Sequence, residues 1–385
     1  MAFDPQAATA ATDQIWEDSI LPTLVDYIRV PAVSSAFDPD WAEHGYLDAV
    51  TDMARHWCEG RAVAGLSVEI VRLPGRTPVV WFEVLAFGGG DPDDTVLLYG
   101  HLDKQPPMHG WREGLGPWEP VLDGDRLYGR GGADDGYAVF ASLAAIEAVQ
   151  AAGGSHGRCV GFIETSEESG SPDLPAYVEH LAARIGTPSL VVCLDSFCSD
   201  YDRLWTTTSL RGLLYGVLRV DVLDEGIHAG SAGGVVPSSF RILRGLLDRI
   251  EDAATGRILL PELHAEIPPG RVDEIAALVA DLGADLTPQY PYVPGAGPTI
   301  PDDDPAAQVT ARTWEPTLAT IAVDGIPALG SAGNVLRPYT ALGLSFRLPP
   351  TVDAAAAGRA LTAALTADPP YGTRVTFDIP SAENG

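Results

Sequence analysis

Five short apolar runs, each bounded by glycine, proline or aspartate, constrain this chain more than any other feature. They are LSVEIVRL (66–73), VVWFEVLA (79–86), TVLLYG (95–100), CVGFIET (159–165) and SLVVCLD (189–195). Runs this short and this apolar read as strands buried on both faces. Between the third and fourth lies DGYAVFASLAAIEAVQAAG (135–153), an apolar helix that ends at glycine. Between the fourth and fifth lies a second helix, DLPAYVEHLAARIG (173–186). Two earlier segments, 12–30 and 43–64, carry apolar residues at helical spacing. This succession predicts an α/β domain with a mostly parallel sheet covered by helices.

Beyond about residue 205 the pattern changes. LLYGVLRVDVL (213–223) alternates only in part, as a strand with one solvated face does. A helix over 238–253, mixed helical segments and a Pro/Asp-rich loop at 287–306 follow. Two late strands, ALGLSFRLP (341–349) and RVTFDIP (374–380), then flank an Ala-rich helix at 353–367. The expectation is a smaller α+β domain over 205–380, after a first domain over 1–204.

Charge and side-chain usage remove several function classes. With 24 Lys and Arg against 53 Asp and Glu, the 385-residue chain has a formal net charge of −29. Such a surface repels phosphate backbones and anionic lipid, so neither nucleic acid nor membrane is an expected partner, whereas divalent cations are attracted. Lys104 is the only lysine. No Gly-Lys-Ser/Thr exists, which excludes a P-loop, and Schiff-base chemistry would have to use Lys104. Cys58, Cys159, Cys193 and Cys198 form no C-x-x-C pair, so a structural zinc module has no support and reduced thiols are expected. The N-terminus lacks the basic and apolar regions of a signal peptide, and no run of about 18 apolar residues occurs; the expectation is a cytoplasmic protein.

The polar residues that follow the strands point to chemistry. His101-Leu102-Asp103 follows the third run, Glu167-Glu168 follow the fourth, and the fifth runs into Asp195. The loop YGRGGADDG brings Asp134 and Asp135 to the start of the long helix. Open parallel sheets bind ligands beyond the carboxyl ends of their strands. Singly, each motif has a plain alternative: a surface turn, a solvated helix start, an N-cap. Together they form a mixed nitrogen and oxygen set suited to Zn²⁺, Co²⁺ or Mn²⁺. Asp103 is placed to orient the imidazole, Asp134 to bridge two metals, and one of the paired glutamates to take a proton from water. The glycines of GRGG are expected to permit a tight backbone, with Arg130 in a structural ion pair.

YGHLDKQP (99–106), LYGRGGADDG (127–136), ETSEESGS (164–171) and CLDS (193–196) resemble the four catalytic-domain signatures of the carnosinase-like dizinc dipeptidases. That family belongs to a larger group with succinyl-diaminopimelate desuccinylase, aminoacylase and glutamate carboxypeptidase. The resemblance implies a metallopeptidase with two divalent metals. His101 and Asp195 would be terminal ligands of one metal, Asp134 the bridge, and Glu168 the ligand of the second. It implies Glu167 as general base, Asp103 as the residue orienting His101, and a cis peptide between Asp134 and Asp135. GIHAGSAGGVVPSS (226–239) resembles the family's lid segment, implying that His228 reaches a partner subunit's active site in a homodimer. GSAGNVLRPYTALGLSFRLPP (330–350) resembles the segment whose Asn334 and Arg347 contact substrate.

In the family the chain returns from an inserted lid and contributes a last histidine to the second metal. Here residues 381–385 are expected to begin that return, with the remainder absent, and none of the eight histidines lies beyond His264. The second metal would then lack its nitrogen ligand. The resemblance implies hydrolysis of the amide bond in dipeptides or small peptides. The alternatives are an N-acyl-amino-acid deacylase of the same group, or a catalytically silent dimerising or ligand-binding form.

Overall fold

The apolar runs of the first half do form strands. The computed structural model describes residues 3–196, 198, 200–286 and 290–385. Its contacts divide the chain into two compact units, Met1–Phe197 and Cys198–Gly385.

In the first unit, α1 (Pro5–Ile15), α2 (Leu21–Arg29) and α3 (Tyr46–Glu59) precede the hairpin of β1 (Leu66–Val71) and β2 (Val79–Val84). Then come β3 (Thr95–His101), α4 (Ala138–Ala151), β4 (Arg158–Glu164), α5 (Leu174–Ile185) and β5 (Leu190–Cys193). The sheet runs β1-β2-β4-β3-β5. Its strands β4, β3 and β5 are parallel, joined by helical crossovers as expected. The link between β1 and β2 is too short for a crossover, so this pair is antiparallel, and β2 also meets β4 antiparallel.

Both faces of the sheet are covered. On one, Val80, Phe82 and Ile163 pack against Leu24 and Tyr27 of α2, Val50 and Ala54 of α3, and Val139, Phe140 and Leu143 of α4. On the other, Trp81, Val160 and Phe162 meet Tyr177 and Leu181 of α5. Phe82 lies opposite Gly161 across the β2–β4 pair. A Cβ on Gly161 would lie 2.0 Å from the Phe82 ring, so the ring occupies the space that only glycine leaves open.

The second unit contains β6 (Gly212–Asp221), α6 (Ser239–Leu247), α7 (Pro269–Leu282), α8 (Pro305–Thr313), β7 (Thr317–Asp324), β8 (Tyr339–Leu348), α9 (Ala354–Thr366) and β9 (Arg374–Glu383). Its sheet is antiparallel throughout, in the order β7-β8-β6-β9. Alternate residues Leu214, Leu218, Leu344 and Phe346 face Ile242 and Leu246 of α6 and Leu361 and Leu365 of α9. The intervening Leu213, Tyr215, Val217 and Arg219 stay partly exposed, which gives the expected sheet with one solvated face. Ser238 and Asp353 cap α6 and α9 by accepting backbone N–H bonds. Sequence patterning missed β7. It is an edge strand, exposed over most of its length, and its Thr and Ala residues carry little apolar contrast. Of the Pro/Asp-rich loop, residues 287–289 lie outside the described residues, and α8 begins at its end. Among the described residues no helix is long and apolar enough to cross a membrane.

Replacing the buried Phe82 with alanine should cost about 3–5 kcal/mol in equilibrium urea unfolding. The same change at Phe37, 48% exposed, should cost within about 0.5 kcal/mol.

Candidate metal centre

The parallel strands β3, β4 and β5 end on one edge, and the turn into α4 arrives beside them. Six residues singled out in the sequence meet here: His101, Asp103, Asp134, Glu167, Glu168 and Asp195. His101, the last residue of β3, is fully buried. Its backbone N–H donates to Asp135 Oδ2 at 3.2 Å. Its Nδ1 faces the Asp103 carbonyl at 3.1 Å and Asp103 Oδ1 at 3.4 Å, which makes Nδ1 a protonated nitrogen. Nε2 points the other way. It is buried and has no partner in hydrogen-bonding geometry. Around it lie Asp134 Oδ1 at 3.2 Å, Glu167 Oε2 at 3.7 Å and Asp195 Oδ2 at 3.8 Å.

Asp103, also fully buried, braces two elements at once. Its Oδ1 accepts the Glu167 N–H at 3.1 Å, and its Oδ2 accepts the Glu168 N–H at 3.0 Å. Glu168 in turn accepts from the Gln105 backbone at 3.1 Å and from the Gln105 side chain. Sequence reading did not single out Glu164. This buried carboxylate accepts from Tyr99 at 2.6 Å and from Ser166 and Ser171 at 2.9 Å each, closing the turn that presents the two glutamates. The serines of ETSEESGS were its only visible signal. The Tyr137 hydroxyl donates to the Leu194 carbonyl at 2.5 Å, next to Asp195.

The glycines act as expected. Gly131 has φ +85°, and a Cβ on Gly129 would lie 2.4 Å from Ile28. The Asp134–Asp135 peptide is cis. Arg130 departs from expectation. Its backbone N–H is held by the Pro117 carbonyl, and its guanidinium lies 5.8 Å from the Trp111 ring centroid, with no ion pair among the described residues. The Lys104 ammonium is committed to backbone carbonyls, so the single lysine is not free for Schiff-base chemistry.

So many carboxylates in one place shift one another. Burial pushes Glu167 up to about 7 and Asp135 up to about 8, with Asp195 adding to both. Glu168 and Asp195 are also raised, chiefly by burial. Burial works against a charged His101, but Asp103 and Asp134 outweigh it and lift the imidazole to about 12. Asp134 is correspondingly held below the usual carboxylate range by His101. The oxygens and nitrogen form two groups able to hold an ion, His101–Glu167–Asp195 and His101–Asp134–Glu168. An unpartnered buried imidazole nitrogen facing acids fits a divalent cation of the zinc class.

The other three predicted residues belong to the second unit. His228 and Asn334 come together: the strand Ile227–His228 pairs with Val335–Leu336, and the Ala229 N–H donates to the Asn334 carbonyl at 3.0 Å. His228 is exposed and accepts the Gly230 N–H at 3.2 Å. Arg347 is exposed near the far end of β8, eight residues beyond Tyr339 and so roughly 26 Å along the strand. Arg347 thus stands at the end of β8 away from Tyr339, while Asn334 adjoins the separate two-stranded pair that precedes Tyr339 in the chain.

The pattern of peptidase family M20/M25/M40 matches residues 97–362, more than half of the chain. A human Beta-Ala-His dipeptidase is 31% identical over 220 residues, 56% of this chain and 43% of its own length. A cysteinylglycine-S-conjugate dipeptidase from Corynebacterium striatum is 26% identical over 288 residues, 74% of this chain and 60% of its own. The chain thus spans about half the length of the curated relatives it matches. The solved dipeptidase Dug1p from Saccharomyces cerevisiae superposes with a TM-score of 0.73 at 22% identity, over 100% of this chain and 81% of that one, a likeness of fold.

Because Asp103 and Asp134 favour the charged form of His101 in the metal-free protein, a cation must displace the Nε2 proton. Zn²⁺ titrated into metal-free protein in buffers of differing ionisation enthalpy should release at least about one proton per chain. Affinity should fall as pH is lowered.

Proposed function

Since the chain belongs to peptidase family M20/M25/M40, we propose that it is a metal-dependent hydrolase of the amide bond in dipeptides or small peptides. The observation that carries this reading is the convergence of His101, Asp134, Glu167, Glu168 and Asp195 around one buried imidazole nitrogen. The names of the relatives, dipeptidases for Beta-Ala-His and cysteinylglycine conjugates, support dipeptides over acylated amino acids. We read His101 and Asp195 as terminal ligands of one ion, Asp134 as the bridge and Glu168 as a ligand of the second. Zinc is the first choice, with Mn²⁺ or Co²⁺ as substitutes. The bound ions supply Lewis-acid polarisation of the scissile carbonyl and acidify a water.

The chain's own residues do the rest. Glu167, partly exposed and pushed up to about 7, takes a proton from the attacking water and returns it to the leaving amine. Asp103 holds the Glu167 backbone and the His101 ring in one frame. Arg347 clamps the free carboxylate of the substrate. His228 stabilises the developing oxyanion, with Asn334 beside it.

β8 carries Arg347 away from Tyr339, the end at which the segment with Asn334 and His228 enters, which supports separate roles for Arg347 and for these two residues. We therefore read the protein as a homodimer in which the second unit is the lid, and His228 and Asn334 serve the partner's site. The four free cysteines support a reducing, cytoplasmic setting.

Glu167→Gln should lower kcat by at least about 10²-fold while leaving metal content near that of the parent. The acid limb of kcat/KM should lie at or below pH 7, since a nearby cation favours the ionised carboxylate. Retained turnover in this variant would remove Glu167 from its role. Mixing Glu167→Gln with His228→Ala protein should restore activity up to about a quarter of the parent, because a mixed dimer holds one intact site. No recovery on mixing would overturn the shared site.

A further inference from the structure

The only lysine of this chain, Lys104, is fully buried directly after the fully buried Asp103, and the proposed chemistry makes no use of it. Its Nζ donates to the carbonyls of Tyr27 at 2.8 Å and Val30 at 2.7 Å, with Ile28 at 3.4 Å. These carbonyls close α2, so the ammonium sits at the negative end of the helix. The Tyr27 ring lies 3.9 Å away and the Trp118 ring 5.3 Å away, which adds cation–π attraction. Three donors meet three acceptors. Even so the charge is costly, and burial lowers Lys104 to about 7. An apolar side chain of similar length would fill the space without that cost.

What the cost secures is visible in the neighbours. The Lys104 carbonyl accepts the Ser34 N–H at 2.9 Å, and the Tyr27 hydroxyl donates to the Leu102 carbonyl at 2.9 Å. Both contacts tie α2 and the chain after it to the segment 101–105. On the other side, a Cβ on Gly131 would lie 2.8 Å from the Lys104 stem, and one on Gly136 would lie 2.2 Å from the Tyr27 ring. The Lys104–Tyr27 pair is thus wedged against the turn that carries Asp134. One side chain joins the end of α2, the segment bearing His101 and the turn bearing Asp134.

We infer that Lys104 is a positioning residue for the metal centre: its ammonium, seated in the carbonyl cradle at the end of α2, fixes the separation of His101 and Asp134 and so sets the affinity for divalent cations. The inference rests on the metal-centre reading. It is tested with the metal-free 385-residue chain and Co²⁺, following chelator competition and the visible absorption of the bound ion. Lys104→Met should bind Co²⁺ at least tenfold more weakly than the parent, with shifted absorption bands and an unchanged circular dichroism spectrum. Methylammonium should recover part of the affinity in Lys104→Ala.

A parent-like affinity and spectrum in Lys104→Met would overturn the inference while leaving the metal reading intact. Failure of the parent to bind Co²⁺ would overturn both. A second measurement needs no variant. The buried amine reacts only when its carbonyl cradle opens, so Zn²⁺ held by the frame that Lys104 fixes should slow reductive methylation of Lys104 in the parent by at least tenfold, read by mass on a chain whose only other amine is the N-terminus. If Lys104→Met does not fold, this protection decides the matter, and equal rates with and without Zn²⁺ overturn the inference.

Discussion

Like charge brought to one buried point is the constraint on which the first unit depends. Asp134, Glu167, Glu168 and Asp195 crowd the Nε2 side of His101, while Asp103 and Asp135 hold its other side. Left to themselves these groups would move apart or take up protons, and burial, with Asp195 adding to it, raises Glu167 and Asp135 in that direction. Besides the charged form of His101, which holds Asp134 low, the surroundings resist this with dipoles. Asp103 takes two backbone N–H groups, Glu164 takes three hydroxyls, and Gln105 holds Glu168. Such dipoles hold the carboxylates in place without filling the seat that a cation would take.

Much of this arrangement is legible from the amino-acid order. Strand ends are marked by apolar runs stopping at His101, Glu164 and Asp195, and parallel β3, β4 and β5 must then bring those ends to one edge. The convergence follows from topology, and topology follows from helices long enough to cross over. The bracing is far less legible. Glu164 looks like the last residue of a strand, and Lys104 like one polar residue in a loop. Their roles depend on hydroxyls and carbonyls up to 77 residues away, which no local pattern encodes. Arg130 shows the reverse error, a charge assumed to pair directly with a carboxylate but lying instead by the Trp111 ring and acting on Asp134 through space.

In the second unit the sequence motifs fall into two groups that a linear reading merges. Asn334 and Arg347 stand 13 positions apart in one continuous motif, yet an extended strand turns that separation into distance. The pairing of Ile227–His228 with Val335–Leu336 instead gathers two segments more than a hundred residues apart. Strand geometry decides which residues can share a ligand.

The contact of Phe82 with Gly161 has a consequence at the far end of the sheet. Glycine at that one position leaves a notch, and the aromatic ring fits it as a tooth fits a rack. Sliding β4 by two residues would keep every side chain on its face but drive the ring into Cys159 or Ile163, and it would carry Glu164 and the glutamates behind it about 6.6 Å along the strand. The notch therefore works as a ruler in the middle of the sheet. It measures out where the acids come to rest beside His101, and Phe377 over Gly216 repeats the device in the second unit.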